Sequence, residues 1–360
     1  MRVLTIFLAS ALLVLAACGD DDSSSDGAES TPAATEAGGT DLAAIKTYLL
    51  DHTTRLQDDV ADLREDAQEY HDLAEQSGFD TKKLLADNRE EVAEILADSK
   101  ETFKEANPAY EEMEGVVAGV PELADYDVII DAGSDASDPE SAVPFSIKTE
   151  DGKTYKQPGN LFFLLESALY GTEPKWSTKG DLDGDGKVEF GEALPDPRFY
   201  LAANDEFVKQ TKDLDASANK WEPNEQDALT ALVVMTPTMS EYFEAWKNSR
   251  FIAGDKATEK SFVASSRLQD IADILSGLKL IYANVEAKIA EADPEQAEQT
   301  GKSLSELEAY VARVRDQEAD GKQFTAEEAD TLGGEAQDQA EAIAGQITQA
   351  AKQLDIELET

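Results

Sequence analysis

Apolar residues recur at steps of three and four along most of this chain. From Asp41 to Gln76 the stripe is Ile45, Leu49, Leu56, Val60, Leu63, Ala67, Tyr70 and Ala74. That spacing brings one face of an α-helix to a core, and Ser77-Gly78 closes the segment. The same period predicts a second helix over 81–106, with Leu85, Val92, Leu96 and Phe103 on one side. Pro108 is expected to open a shorter helix that carries Tyr110, Met113 and Val116. Further helices are predicted over 161–170, 199–213, 224–248, 256–291, 303–317 and 325–355. Asp293-Pro294 stops the longest of these. Ser303…Glu306 and Thr325…Glu328 read as capping boxes that fix the last two starts. The expected fold class is all-α, with bundle-like packing and short connections.

Two stretches interrupt the helical period. Residues 118–156 hold Gly119, Pro121, Gly133, Pro139, Pro144 and Gly152, an irregular segment in which Val128-Ile129-Ile130 and Phe145-Ser146-Ile147 read as short strands or packed loop. Asp151-Gly152 is a hairpin-like turn signal. Residues 172–198 form a polar insertion.

The N-terminus reads as a processing segment. Arg2 precedes an apolar run, Val3 to Leu15, too short to span a bilayer and the right length for a signal-peptide core. It ends in Leu15-Ala16-Ala17-Cys18, a lipobox pattern in which small residues precede an acylated cysteine. Residues 1–17 are then the signal peptide. Residues 18–40, rich in Ser, Gly, Asp and Pro with no large apolar residue, form an acidic tether. The body follows over 41–357. Several acyl chains on Cys18 would anchor the chain to a membrane, exposed to the periplasm or the extracellular side.

Composition narrows the chemistry. The 360 residues include 31 basic and 76 acidic side chains, for a formal net charge of −45. Such a chain repels phosphates and anionic headgroups, which argues against nucleic-acid and peripheral membrane binding and suits attraction of cations. One cysteine rules out an intrachain disulfide, and two histidines leave little for a multi-histidine metal site.

One motif carries explicit metal chemistry. Asp181-Leu-Asp183-Gly-Asp185-Gly186-Lys187-Val188-Glu189-Phe-Gly-Glu192 fits the twelve-residue calcium loop of the EF-hand. Asp181, Asp183 and Asp185 supply carboxylate oxygens, and Gly186 takes the sharp turn. Lys187 offers its backbone carbonyl, Glu189 acts directly or through water, and Glu192 closes the shell. Val188 is the apolar residue expected at position eight. Pro174, Gly180, Pro195 and Pro197 deny the loop regular flanking helices, so a structural calcium site is expected rather than a sensor.

Asn160-Leu-Phe-Phe163-Leu-Leu-Glu166-Ser-Ala-Leu-Tyr-Gly171 resembles the signature of imelysin-like proteins, His-x-x-Glu followed by apolar residues and Gly. Tyr110-Glu111-Glu112-Met113-Glu114 and Ile130-Asp131 resemble the partner segment in the periplasmic component of the Efe iron-uptake system. The resemblance covers about residues 41–357. It implies an all-α fold of two packed helical bundles, an envelope location and a role linked to metal uptake, and family members are classed with peptidases. It also implies a metal site built from the motif's histidine and glutamate with acids of the partner segment. Here Phe163 stands at the histidine position, leaving Glu111, Glu114, Asp131 and Glu166. Such a set favours hard cations over iron or another transition metal held through imidazole. Glu166 is alternatively a buried structural acid.

The remaining candidates have plain structural readings beside the functional ones. His71 and Glu75, four apart on the first helix, form a cation pair or a surface contact. His52 falls on the apolar stripe as a satisfied interior histidine or a ligand. Trp176, Trp221 and Trp246 line a cleft or pack. No nucleophile elbow or phosphate loop is present. The leading expectation is a non-enzymatic, calcium-containing binding lipoprotein that acts in iron or other cation uptake. The alternatives are a metallopeptidase, against which Phe163 argues, and a calcium-stabilised adhesion or polysaccharide-binding module.

Overall fold

Two long helices run first, α1 (Leu42–Gln76) and α2 (Thr81–Val117), followed by the short α3 (Ala124–Ile130). A hairpin of β1 (Ser146–Lys148) and β2 (Thr154–Lys156) leads to α4 (Leu161–Tyr170). A second hairpin, β3 (Ser177–Lys179) and β4 (Ala193–Pro195), precedes α5 (Pro197–Lys220). The C-terminal half is α6 (Glu225–Met235), α7 (Met239–Asn248), the single turn α8 (Arg250–Ala253), α9 (Arg267–Ala292), α10 (Pro294–Ala319) and α11 (Ala326–Gln353). This computed structural model describes residues 40–134 and 143–359. The expected signal segment, Cys18 and the expected tether up to residue 39 lie outside the described residues.

The helices pack in two groups. α1 packs against α2 and α5, while α9 packs on α10 and α11 packs on α6, α7 and α10. The α2–α9 contact joins them. Leu49, Leu56, Val60 and Leu63 of the α1 stripe are fully buried, each contributing about 1.5–3 kcal/mol of burial. Side-chain caps set many of the helix starts. Asp80 accepts from the Lys82 and Lys83 amides, Asn160 from Phe163, and Asp293 from Glu295 and Gln296. These caps satisfy amides that have no partner within the helix.

Several local expectations change. α2 runs unbroken through Pro108, although a break was expected there. The buried residues Phe103, Ala106, Ala109 and Tyr110 lie on both sides of the proline, so packing outweighs the one hydrogen bond it removes. The kink falls instead at Asn88, with φ −138° and ψ 26°. Val128-Ile129-Ile130 is helical, inside α3. The predicted 224–248 helix divides at Thr236–Thr238, around Pro237. Residues 257–266 are an irregular strap rather than the start of a long helix, and α9 begins at Arg267. Ser303 lies inside α10, which starts nine residues earlier at Pro294 with Asp293 as its cap. The Thr325–Glu328 capping box is present, and Asp151-Gly152 turns the β1–β2 hairpin as expected.

Candidate functional site

Where α2, α3 and α9 meet, acidic side chains gather in the interior. Glu111 and Glu114 sit one turn apart on α2, at 1% and 3% exposure. Asp127 lies on α3 and Asp131 just after it. Arg267 and Asp270 occupy the first turn of α9 and are buried too. Close helix approach makes this possible: a Cβ on Gly277 of α9 would come within 2.1 Å of the Glu112 carbonyl oxygen on α2.

Glu111, Glu114 and Asp131 each offer an oxygen within 4.8 Å of the others'. Asn107 donates to Glu111 (3.0 Å) and Asp270 (3.3 Å), Tyr242 to Glu114 (3.2 Å) and Tyr110 to Asp127 (2.8 Å). Arg267 Nη1 lies 3.1 Å from Asp270 and 3.6 Å from Glu111. Glu111 Oε2, Glu114 Oε2 and Arg267 Nε are buried without a hydrogen-bond partner. Burial raises the Glu114 carboxyl to about 7, with the Asp131 charge adding to it. Burial, then the neighbouring acids, hold Glu111 well above the carboxylate range. Asp270 rises to about 6, again through burial, with Arg267 pulling it back. Burial disfavours the Arg267 charge, but Glu111, Asp270 and Asp131 outweigh it. Like charges enclosed together demand protons or a cation.

Glu166 is not part of this group. Its carboxylate accepts the amide hydrogens of Phe262, Val263 and Ala264, all at 2.8 Å. The four-residue set implied by the resemblance therefore comes down to Glu111, Glu114 and Asp131, because both Glu166 oxygens are committed to the strap. Burial still lifts Glu166 to about 7, against the three amides that favour its charge. Phe163 is half-buried against the core.

Sequence reasoning missed Asp127, Arg267 and Asp270. The available signal was Asp127 four residues before Asp131, and an Arg–Asp pair one turn apart on a helix. In a chain this acidic, such charges read first as a solvated face.

The 181–192 loop sits across the β3–β4 hairpin. The structure brings Asp181, Asp183 and Asp185 together. Asp181 accepts from the Gly184 and Gly186 amides, Asp183 from Asp185, and Asp185 from Lys187. Gly184 and Gly186 have φ of +81° and +89°, a region that favours glycine. Glu192 is turned onto the amides of Leu182, Asp183 and Glu189, at 2.9, 3.2 and 2.6 Å, and lies outside the grouped oxygens, as does Glu189. The Glu192 carboxyl is held below its ordinary value, the Glu189 amide being the largest cause. Burial pushes Asp181 up, but the Gly184 amide and Arg89 outweigh it. The Lys187 ammonium meets Asp185 at 3.4 Å. Val188, the apolar residue at position eight, is 48% exposed, because strands rather than paired helices flank the loop.

The other candidates resolve as packing. His52 bonds the Tyr48 carbonyl and Glu112, each at 2.7 Å. His71 meets Glu150 at 3.2 Å rather than Glu75. Trp176 stacks on Phe199, Trp221 donates to Asp227 and Trp246 to Glu318, and all three are buried.

An all-α body with buried acids between its helix groups is the class this geometry defines. The family model for imelysin (peptidase M75) matches residues 67–354, and the chain belongs to the imelysin family. Comparison with curated proteins gives no significant match. Among the described residues no helix is long and apolar enough to cross a membrane.

Proposed function

We propose that this imelysin-family chain is an envelope-anchored, non-enzymatic cation-binding protein. Its Glu111–Glu114–Asp131 centre takes a multivalent cation, in iron or other cation uptake. The observation that carries this reading is the pair of buried, unpartnered oxygens on Glu111 and Glu114, set beside Asp131. An all-oxygen donor set suits a hard cation. Cys18 supplies the lipid anchor, and calcium at 181–192 braces the hairpin.

A metallopeptidase would need a water-activating metal and a free base. Phe163 supplies no ligand, and Glu166, the motif's glutamate, has both oxygens bound to amides. Buried tryptophans offer no platform for a polysaccharide.

Elemental analysis of the purified protein, followed by titration of the metal-free chain with manganese and calcium, tests the reading. E111Q/E114Q is expected to abolish one class of sites, and D181A/E192A the other. Stoichiometry unchanged by E111Q/E114Q would overturn the buried centre, and retained peptidase activity would overturn the non-enzymatic role.

A further inference from the structure

We infer that Arg267 is the resident counter-cation of the buried centre and fixes its charge selectivity, so that only a cation of higher charge gains by entering. This rests on the metal-binding reading of Glu111, Glu114 and Asp131.

Arg267 is 5% exposed, and its guanidinium carbon lies over two rings, 4.3 Å from the Tyr242 centroid and 4.5 Å from that of Phe262. It faces Glu111 and Asp270, with Glu114, Asp127 and Asp131 alongside. Five carboxyl groups thus face one fixed positive charge. A monovalent ion brings no more charge than Arg267 already supplies, and it still loses its hydration on entering. A divalent or trivalent ion loses more hydration still, but it doubles or triples the Coulombic return from the same oxygens, which also replace its water ligands.

The guanidinium is also incompletely engaged. An arginine built purely as a structural tie uses its planar fork bidentately. Here one Nη makes a single 3.1 Å hydrogen bond and Nε has no partner. Two ring faces and a single hydrogen bond position the group, so a shift away from the oxygens breaks one hydrogen bond rather than a bidentate pair.

The strap provides the holding face. Phe262 has φ +54°, a conformation costly for a bulky L-residue. Three amide bonds from 262, 263 and 264 to Glu166 keep it there. Further ties run from Thr258 and Glu259 to the Asn248 carbonyl and from Thr172 to the Lys260 carbonyl. Glu166 is thus a positioning residue: it sets the strap, the strap sets Phe262, and Phe262 sets Arg267.

The experiment is calorimetric titration of the full chain with Mn2+, in a D181A/E192A background that silences the calcium loop. R267M is expected to tighten Mn2+ roughly tenfold or more, and to make binding sensitive to Na+ where the parent is indifferent. F262A, which removes one ring face, moves in the same direction by a smaller factor. R267K keeps the charge and stays near the parent. If R267M fails to fold, F262A alone decides. Affinity unchanged or weakened in the folded variants, with the parent binding Mn2+, overturns the role of Arg267 and leaves the metal centre standing. Binding by R267M but not by the parent would show Arg267 shutting the centre to every cation, which overturns both its selectivity role and cation binding by the native chain. Binding by neither overturns both.

Discussion

Glu166 on α4 accepts the Ala264 amide hydrogen at 2.8 Å across a chain separation of 98 residues. With the Val263 and Phe262 amides, this closes a buried carboxylate cap on the strap before α9. E166A would leave three amides without an acceptor and is expected to cost about 3 kcal/mol or more, read as a lowered urea midpoint. E166Q keeps one carbonyl acceptor and is expected to fall between the two. A stability equal to the parent in E166A would show that the strap contributes nothing to the fold.

The pH dependence follows from the buried acids. Glu114 and Glu166 are raised to about 7, Asp270 to about 6 and Asp273 to about 7, burial being the largest cause in each. Between the ordinary carboxylate value and these raised values, the folded chain holds protons that the unfolded chain has released. Stability from these groups is therefore fully present below their ordinary values, 3.8 for the aspartates and 4.5 for the glutamates, and is lost as pH rises through 6 to 7. The metal-free protein should melt higher at pH 5.5 than at pH 8, and a multivalent cation at the centre should flatten that slope. A melting temperature that rises from pH 5.5 to pH 8 in the metal-free chain would contradict this.

Much of the fold was legible because helical period is a local property. The Ile45–Ala74 stripe, the Thr325 capping box and the Asp151-Gly152 turn each depend on residues close in sequence. Pro108 misled because its penalty is local while the packing that offsets it comes from other helices. The strap misled for the opposite reason. Residues 257–266 have no helix-breaking run, and what holds them out of helix is Glu166, far away in the chain. The same distance separates the parts of the candidate centre. Glu111, Glu114 and Asp131 were legible through a family pattern, whereas Arg267 acquires its meaning only when α9 is laid against α2.

Calcium at 181–192 has a stability signature. A ligand that binds only the folded chain stabilises by RT ln(1 + [L]/Kd), so an extracellular-type Kd of about 0.1–1 mM gives about 1.4–2.7 kcal/mol at about 10 mM calcium. To join the shell, Glu192 must exchange the amides of Leu182, Asp183 and Glu189 for the ion. D181A and E192A should therefore each abolish the calcium-dependent rise in melting temperature. E192A should also lower the calcium-free value, because it strips those amides of their acceptor. A calcium-dependent rise that persists in both variants would place the ion elsewhere.

Gly277 tests whether the centre depends on helix approach. A methyl group there would sit 2.1 Å from the Glu112 carbonyl oxygen, a backbone atom that no rotamer change can clear. α9 would have to move off α2, carrying Arg267 and Asp270 away from Glu111 and Glu114. G277A is expected to destabilise the chain by about 3 kcal/mol, although alanine ordinarily favours a helix over glycine. G334A, on α11 with no atom within 4 Å of its Cβ position, should be neutral or stabilising by up to about 1 kcal/mol. The contrast matters for function because the two changes add the same methyl group. If loss of Mn2+ binding follows G277A and not G334A, the spacing between α2 and α9 is what assembles the centre. Equal effects of the two variants on stability and binding would mean that the helices tolerate separation and that the carboxylates bind without it.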